Sequence, residues 1–124
     1  MSTAVHVTAV SDATPQDVSL LALAGELDYT NAERLHHDLQ EAIGRESRDL
    51  VIDLSDLAFC DSTGIQIFLN IRKLVHDRGR DIALAGLQPR LERLFHLTGL
   101  IHAFDIQPTV GEAVEALRSH PSPS

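Results

Sequence analysis

Residues 3–9 alternate, with Val5, Val7 and Ala9 on one side and His6 and Thr8 on the other, which predicts a half-exposed strand at a sheet edge. Ser11 to Gln16, with Pro15, supplies a turn. Val18 to Ala24 is more uniformly apolar and predicts a buried strand, ending in Gly25-Glu26-Leu27-Asp28. The pattern then changes period. Thr30-Asn31-Ala32-Glu33 has the spacing of a capping box, and Ala32, Leu35, Leu39, Ala42 and Ile43 form one stripe of a helix that Gly44 closes. Leu50 to Leu54 predicts the next buried strand, and a loop from Ser55 to Ser62 leads into a second helix reaching about Arg78. On that helix Gly64, Ile67, Phe68, Ile71, Leu74 and Val75 share a face.

The remaining elements are shorter. Asp81 to Ala85 predicts a strand closed by Gly86. Pro89 suits the first turn of a third helix, because its missing N–H costs nothing there; Leu91, Leu94 and Phe95 face inward and Gly99 ends it. Residues 103–106 are a strand candidate, and Thr109-Val110-Gly111-Glu112 repeats the capping-box spacing before a last helix with Ala113, Val114 and Leu117 on one side. The predicted order is β-β-α-β-α-β-α-β-α. Strands that alternate with helices imply an α/β fold with a largely parallel sheet and right-handed crossovers. Sites in such sheets gather beyond the carboxyl ends of strands, where two loops, Gly25 to Asp28 and Ser55 to Ser62, both carry carboxylates.

Composition narrows the function. The chain has 124 residues, 44% of them hydrophobic and 23% charged, which suits one globular domain with a proper core. No apolar run nears the roughly 20 residues needed to cross a bilayer, and no signal-peptide pattern opens the sequence. A single cysteine, Cys60, cannot form an internal disulfide, so a cytoplasmic protein is expected. A net charge of −8 repels phosphate backbones and disfavours direct nucleic-acid binding.

The densest chemistry lies in Asp61-Ser62-Thr63-Gly64. It places two hydroxyls at the positive end of a helix behind a capping aspartate, with a glycine that permits close approach. The same string also serves as an ordinary cap. A phosphate on Ser62 would be accommodated there, since a helix N-terminus favours an anion.

Three segments, Gly25-Glu26-Leu27-Asp28, Val51-Ile52-Asp53-Leu54-Ser55 and Asp61-Ser62-Thr63-Gly64-Ile65, come in the order and spacing of the bacterial anti-sigma factor antagonists, which are STAS domains. Leu84 to Pro89 and Leu97 to Leu100 resemble the same family's later strand and third-helix ending, so the resemblance runs from about Val18 to Leu117. It implies the STAS fold, a mixed, mostly parallel central sheet of about five strands with about four helices. One domain is expected over residues 1–118, with a disordered tail over 119–124.

The resemblance also implies a circuit. The unphosphorylated protein binds an anti-sigma factor that is also a serine kinase, the kinase phosphorylates the serine after the aspartate, here Ser62, and a separate serine phosphatase reverses this. Thr63 is the alternate acceptor. Asp61 caps and orients, Asp28 offers a second contact, and Gly64 allows close packing or kinase approach. The chain departs from the family at Gln66, where a second glycine is common, and at Cys60, where a larger apolar residue is usual. If Ile67, Phe68, Ile71 and Leu74 face inward, Ile65 and Leu69 form an apolar pair on a flank beside Ser62. Either a partner or a neighbouring helix covers that pair.

Other constellations carry less. His36 and His37 lie about 100° apart on a helix and do not face one ion easily, and no zinc-type Cys/His spacing occurs, so no metal or other cofactor is expected. Cys60 fits a small buried hydrophobe. Asp53, Asp56 and Asp61 resemble the acids of a phospho-aspartate receiver, but Lys73, the sole lysine, is on a helix rather than a late strand. No nucleophile elbow, phosphate-binding loop or dinucleotide fingerprint is present, and the chain is expected not to be an enzyme. The expected state is a monomer or weak homodimer away from membranes. Two other readings stay open: a non-switching STAS scaffold in a transport or stress complex, and a small-ligand or nucleotide sensor.

Overall fold

A computed structural model describes residues 4–10, 15, 17–45 and 47–119. Its sheet has five strands, β1 (Val5–Val10), β2 (Val18–Leu27), β3 (Asp49–Cys60), β4 (Ile82–Ala85) and β5 (Asp105–Gln107). Four α-helices accompany them: α1 (Ala32–Ile43), α2 (Ser62–Asp77), α3 (Pro89–Leu97) and α4 (Val110–Ser119), with a single 3-10 turn at Leu100–His102. Spatial order follows chain order, with β1 antiparallel to β2 and every later pair parallel. This is the expected mixed, mostly parallel sheet. The turn expected at 11–16 lies largely outside the described residues, as do residues 120–124 of the expected tail; Ser119 is the last residue of α4.

Side-chain size divides the two faces. Leu21, Leu23, Leu50, Ile52, Leu54, Ile82 and Leu84 point to the face covered by α1, α2 and α3, where Phe68 and Phe95 meet edge to face at 6.0 Å. The opposite face offers Val18, Leu20, Val51, Ala83 and Ala85 to α4, which packs Ala113 and Leu117 against them. Small alanines on β4 leave room for α4 on that side. As expected, Pro89 opens α3, and the Thr109 hydroxyl accepts from Glu112 N at 3.1 Å to cap α4.

Two expectations about where elements begin and end need correction. The predicted loop from Ser55 is strand: β3 stays paired with β2 through Cys60, opposite Leu27. Register slips between Ala22/Ala24 and Gly25/Glu26 each place an extra residue in β3, so Leu57 and Cys60 return to the core while the pairs Ser55-Asp56 and Ala58-Phe59 are exposed. A period of three hides such a bulged strand from an alternation test.

The second correction concerns the start of α1. Its N-cap is Asn31, without a side-chain cap bond, and the box expected from Thr30 to Glu33 does not form. Thr30 instead donates both its N–H (2.9 Å) and its hydroxyl to Asp28 Oδ1. On the same helix Ala42 is exposed, leaving Ala32, Leu35 and Leu39 as the buried stripe with Ile43 half-buried.

Gly25 has a physical requirement. Its φ is +108°, and a Cβ there would lie 2.1 Å from the Ala4 carbonyl oxygen, which accepts from Glu26 N. Only a residue without a side chain lets β1 lie against β2 at this point.

Candidate functional site

The carboxyl ends of β2 and β3 bring two loops together. Asp61 N donates to Leu27 O at 3.1 Å, which carries the strand pairing to the start of α2. The Asp61 backbone is extended (φ −95°, ψ −178°) and its carboxylate divides its oxygens. Oδ1 accepts from Gly64 N at 2.9 Å, capping α2, and Oδ2 accepts from Tyr29 N at 3.0 Å across the site. Asp61 therefore caps as expected and also ties the β2–α1 loop to the helix.

That loop is held from within as well. Asn31 Oδ1 accepts from Asp28 N at 3.0 Å, and its Nδ2 donates to Glu26 O at 2.9 Å. Asp28 is half-buried and occupied with Thr30, so its carboxylate braces the turn rather than standing free. Asn31 and Tyr29 were missed by sequence reasoning. By spacing Asn31 is an interior position of a capping box; the available signal is an Asx residue three positions after Asp28. Tyr29 is 75% exposed, and its backbone N–H is the group that Asp61 engages.

Ser62 and Thr63 are both exposed on the first turn of α2, a helix of 16 residues. The aligned peptide dipoles of such a helix favour an added anion at this end, while the Asp61 charge opposes it. Gln66 is also exposed, one turn along, donating to Asn70 Oδ1 at 3.3 Å.

Of the remaining residues expected at a partner surface, Ile65 is buried in the main core, while Leu69 is half-buried against it and keeps part of its side chain exposed. Helix α2 is rotated so that its apolar arc includes position 65, because the stripe is wider than a strict three-to-four spacing suggests. Gly64 is buried too: a Cβ there would lie 2.6 Å from Leu27 Cγ and 2.8 Å from Cys60 Sγ. Its role is to let α2 sit tightly on the ends of β2 and β3.

Cys60 lies beneath this junction. Burial first, and the Asp61 charge second, push its thiol up to about 12. It is a packing residue, held in the unreactive protonated form at neutral pH.

An ordered row of strands, helices stacked mainly on one face and an aspartate-capped helix starting where β3 ends define a class of small α/β domain. The chain belongs to the STAS domain family, which matches residues 9–113. It is 33% identical over 101 residues to the anti-sigma F factor antagonist of Paenibacillus polymyxa, covering 81% of this chain and 84% of that one. It is 36% identical over 90 residues to the anti-sigma-B factor antagonist of Listeria monocytogenes, covering 73% and 79%. Among solved structures, an anti-sigma factor antagonist from Mycobacterium paratuberculosis superposes with a TM-score of 0.79 at 28% identity, covering 93% of this chain and 95% of that one.

Proposed function

We propose that this chain is an anti-sigma factor antagonist: with Ser62 unmodified it binds an anti-sigma factor that is also a serine kinase, and phosphate on Ser62 ends the binding. The observation that carries the reading is an exposed serine on the first turn of α2, directly after a cap, Asp61, that also clasps the neighbouring loop. The named relatives support the antagonist role. The kinase, the serine phosphatase that restores the binding form and the cytoplasmic setting follow from the same proposal.

Phosphorylation adds about −1.5 to −2 charges and three acceptor oxygens at one point. The chain already carries −8, so its overall field changes little. The local effect is larger. A phosphate on Ser62 would stand beside Asp61 and near Asp28, in a patch that a docked partner must dehydrate. Moving a complex from almost wholly bound to almost wholly free takes about 5.5 kcal/mol. Burying an unpaired charge at an interface costs several kcal/mol, which is enough with the steric bulk added. The helix end itself tolerates the anion, so the switch needs no refolding of α2.

Incubation with the cognate kinase and ATP, followed by mass spectrometry, should place one phosphate on Ser62 and leave Ser62→Ala unmodified. Phosphate on Thr63 alone would move the acceptor by one residue. Ser62→Ala should retain the anti-sigma factor while Ser62→Asp releases it. Equal binding by both variants would remove the proposal.

A further inference from the structure

A groove of about 230 Å³ lies between the end of β3 and α3, next to the acceptor junction. Its floor and walls are apolar: Ala58, Phe59, Leu91, Leu94 and Leu97, with Cys60 at the end that leads into Asp61 and Ser62. Phe59 is 41% exposed and Leu97 79%, two of the three large hydrophobic residues left open to solvent among the described residues. Arg90 and Arg93 complete the lining. Arg90, Leu94 and Leu97 recur at helical spacing, with Arg93 alongside, so one face of α3 presents the cations and the leucines together. Neither guanidinium has a hydrogen-bond or ion-pair partner among the described residues.

Given the antagonist function proposed above, we infer that this groove receives a segment of the anti-sigma factor in which a large apolar side chain is flanked by carboxylates. Three observations choose that occupant. The apolar lining is smaller than the roughly 300–1,000 Å³ of a small-molecule site and has room for one or two side chains. The rim charge calls for acids, although the whole chain carries −8. At physiological salt the Debye length is about 8 Å, so the distant negative charges are largely screened and adjacent arginines dominate at contact. The groove is also continuous in chain and in space with Cys60 and the start of α2, so one partner can cover both. The two parts of the groove then act differently. Rim arginines steer encounter, while buried leucine and phenylalanine contacts slow release.

The test is binding kinetics with the cognate anti-sigma factor on a biosensor, over a salt series. Arg90→Glu with Arg93→Glu should slow association about tenfold and weaken its salt dependence. Leu97→Ser should speed dissociation about tenfold. Both sites are solvent-facing, so the urea midpoints should match the parent protein, and Arg34→Glu on α1 should alter neither rate. If these variants bind with parental rates while Ser62→Asp does not bind, the groove is not a docking site and the antagonist function stands. If Ser62→Asp also binds like the parent, the antagonist function fails and the groove inference with it. Laurate binding abolished by the paired arginine substitutions, or self-association abolished by Leu97→Ser, with unchanged partner kinetics, would assign the groove to a lipid or to a second copy and overturn the inference.

Discussion

Replacing Gly64 by alanine sets two effects of known sign against each other. An alanine in a helix is about 1 kcal/mol better than glycine, which would stabilise α2. The new methyl, however, would lie 2.6 Å and 2.9 Å from Leu27 Cγ and Cδ2 and 2.8 Å from Cys60 Sγ. Leu27 is fully buried and Cys60 nearly so, and neither can swing into solvent to make room. Overpacking costs about 1–3 kcal/mol, and three contacts under 3.0 Å with buried atoms put this case in the upper part of that range, about 2–3 kcal/mol. The steric effect should win, leaving Gly64→Ala less stable by about 1–2 kcal/mol. For a domain of this size that lowers Tm by about 3–8 °C.

Urea titration followed by circular dichroism measures the loss. A second substitution identifies its cause. Cys60→Ala removes the sulfur that the methyl strikes, so the double variant should recover at least about 0.5 kcal/mol relative to additivity. A Gly64→Ala protein as stable as the parent, or perfectly additive behaviour with Cys60→Ala, would refute the packing account. Full stability combined with slowed phosphorylation of Ser62 would instead assign the glycine to kinase approach.

Asp61→Asn keeps the shape but sets an amide NH₂ against one of the two N–H donors, Gly64 or Tyr29; the loss should be about 1–2 kcal/mol by urea titration, and hydrogen exchange should rise at Tyr29 and Gly64 together. Gly25→Ala should cost more than about 2 kcal/mol and loosen β1, seen as lost amide protection at Glu26, because backbone rather than a movable side chain blocks the methyl. Cys60 should react with a thiol reagent at neutral pH only as fast as the protein opens. Its folded thiol titrates near 12 against an ordinary 9.0, so between those values the folded state holds the proton that the unfolded chain has released. Stability should therefore fall as pH rises through that window, by up to about 1.4 kcal/mol per unit, relative to Cys60→Ala measured in parallel.

Residue order alone determined the succession of strands and helices, the edge position of β1, the start of α3 at Pro89 and the placing of Asp61, Ser62 and Thr63 at the start of the second helix. Each depends on neighbours a few positions away: alternation, capping chemistry, a proline at a first turn. Local patterns were blind to what β2 and β3 do to one another. Two bulges lengthen β3 by six residues beyond the predicted strand, and only pairing with β2 reveals them. The same limit explains Ile65 and Gly64, whose surroundings come from Leu27 and Cys60 on separate strands. Thr30 is a different, local miss: it fits a capping box by spacing but donates to Asp28, two residues back. The clasp of Asp61 on Tyr29 joins residues 32 apart, and the groove joins the end of β3 to α3. Contacts across such separations are set by how the helices settle on the twisted sheet, and no short stretch of sequence contains both partners.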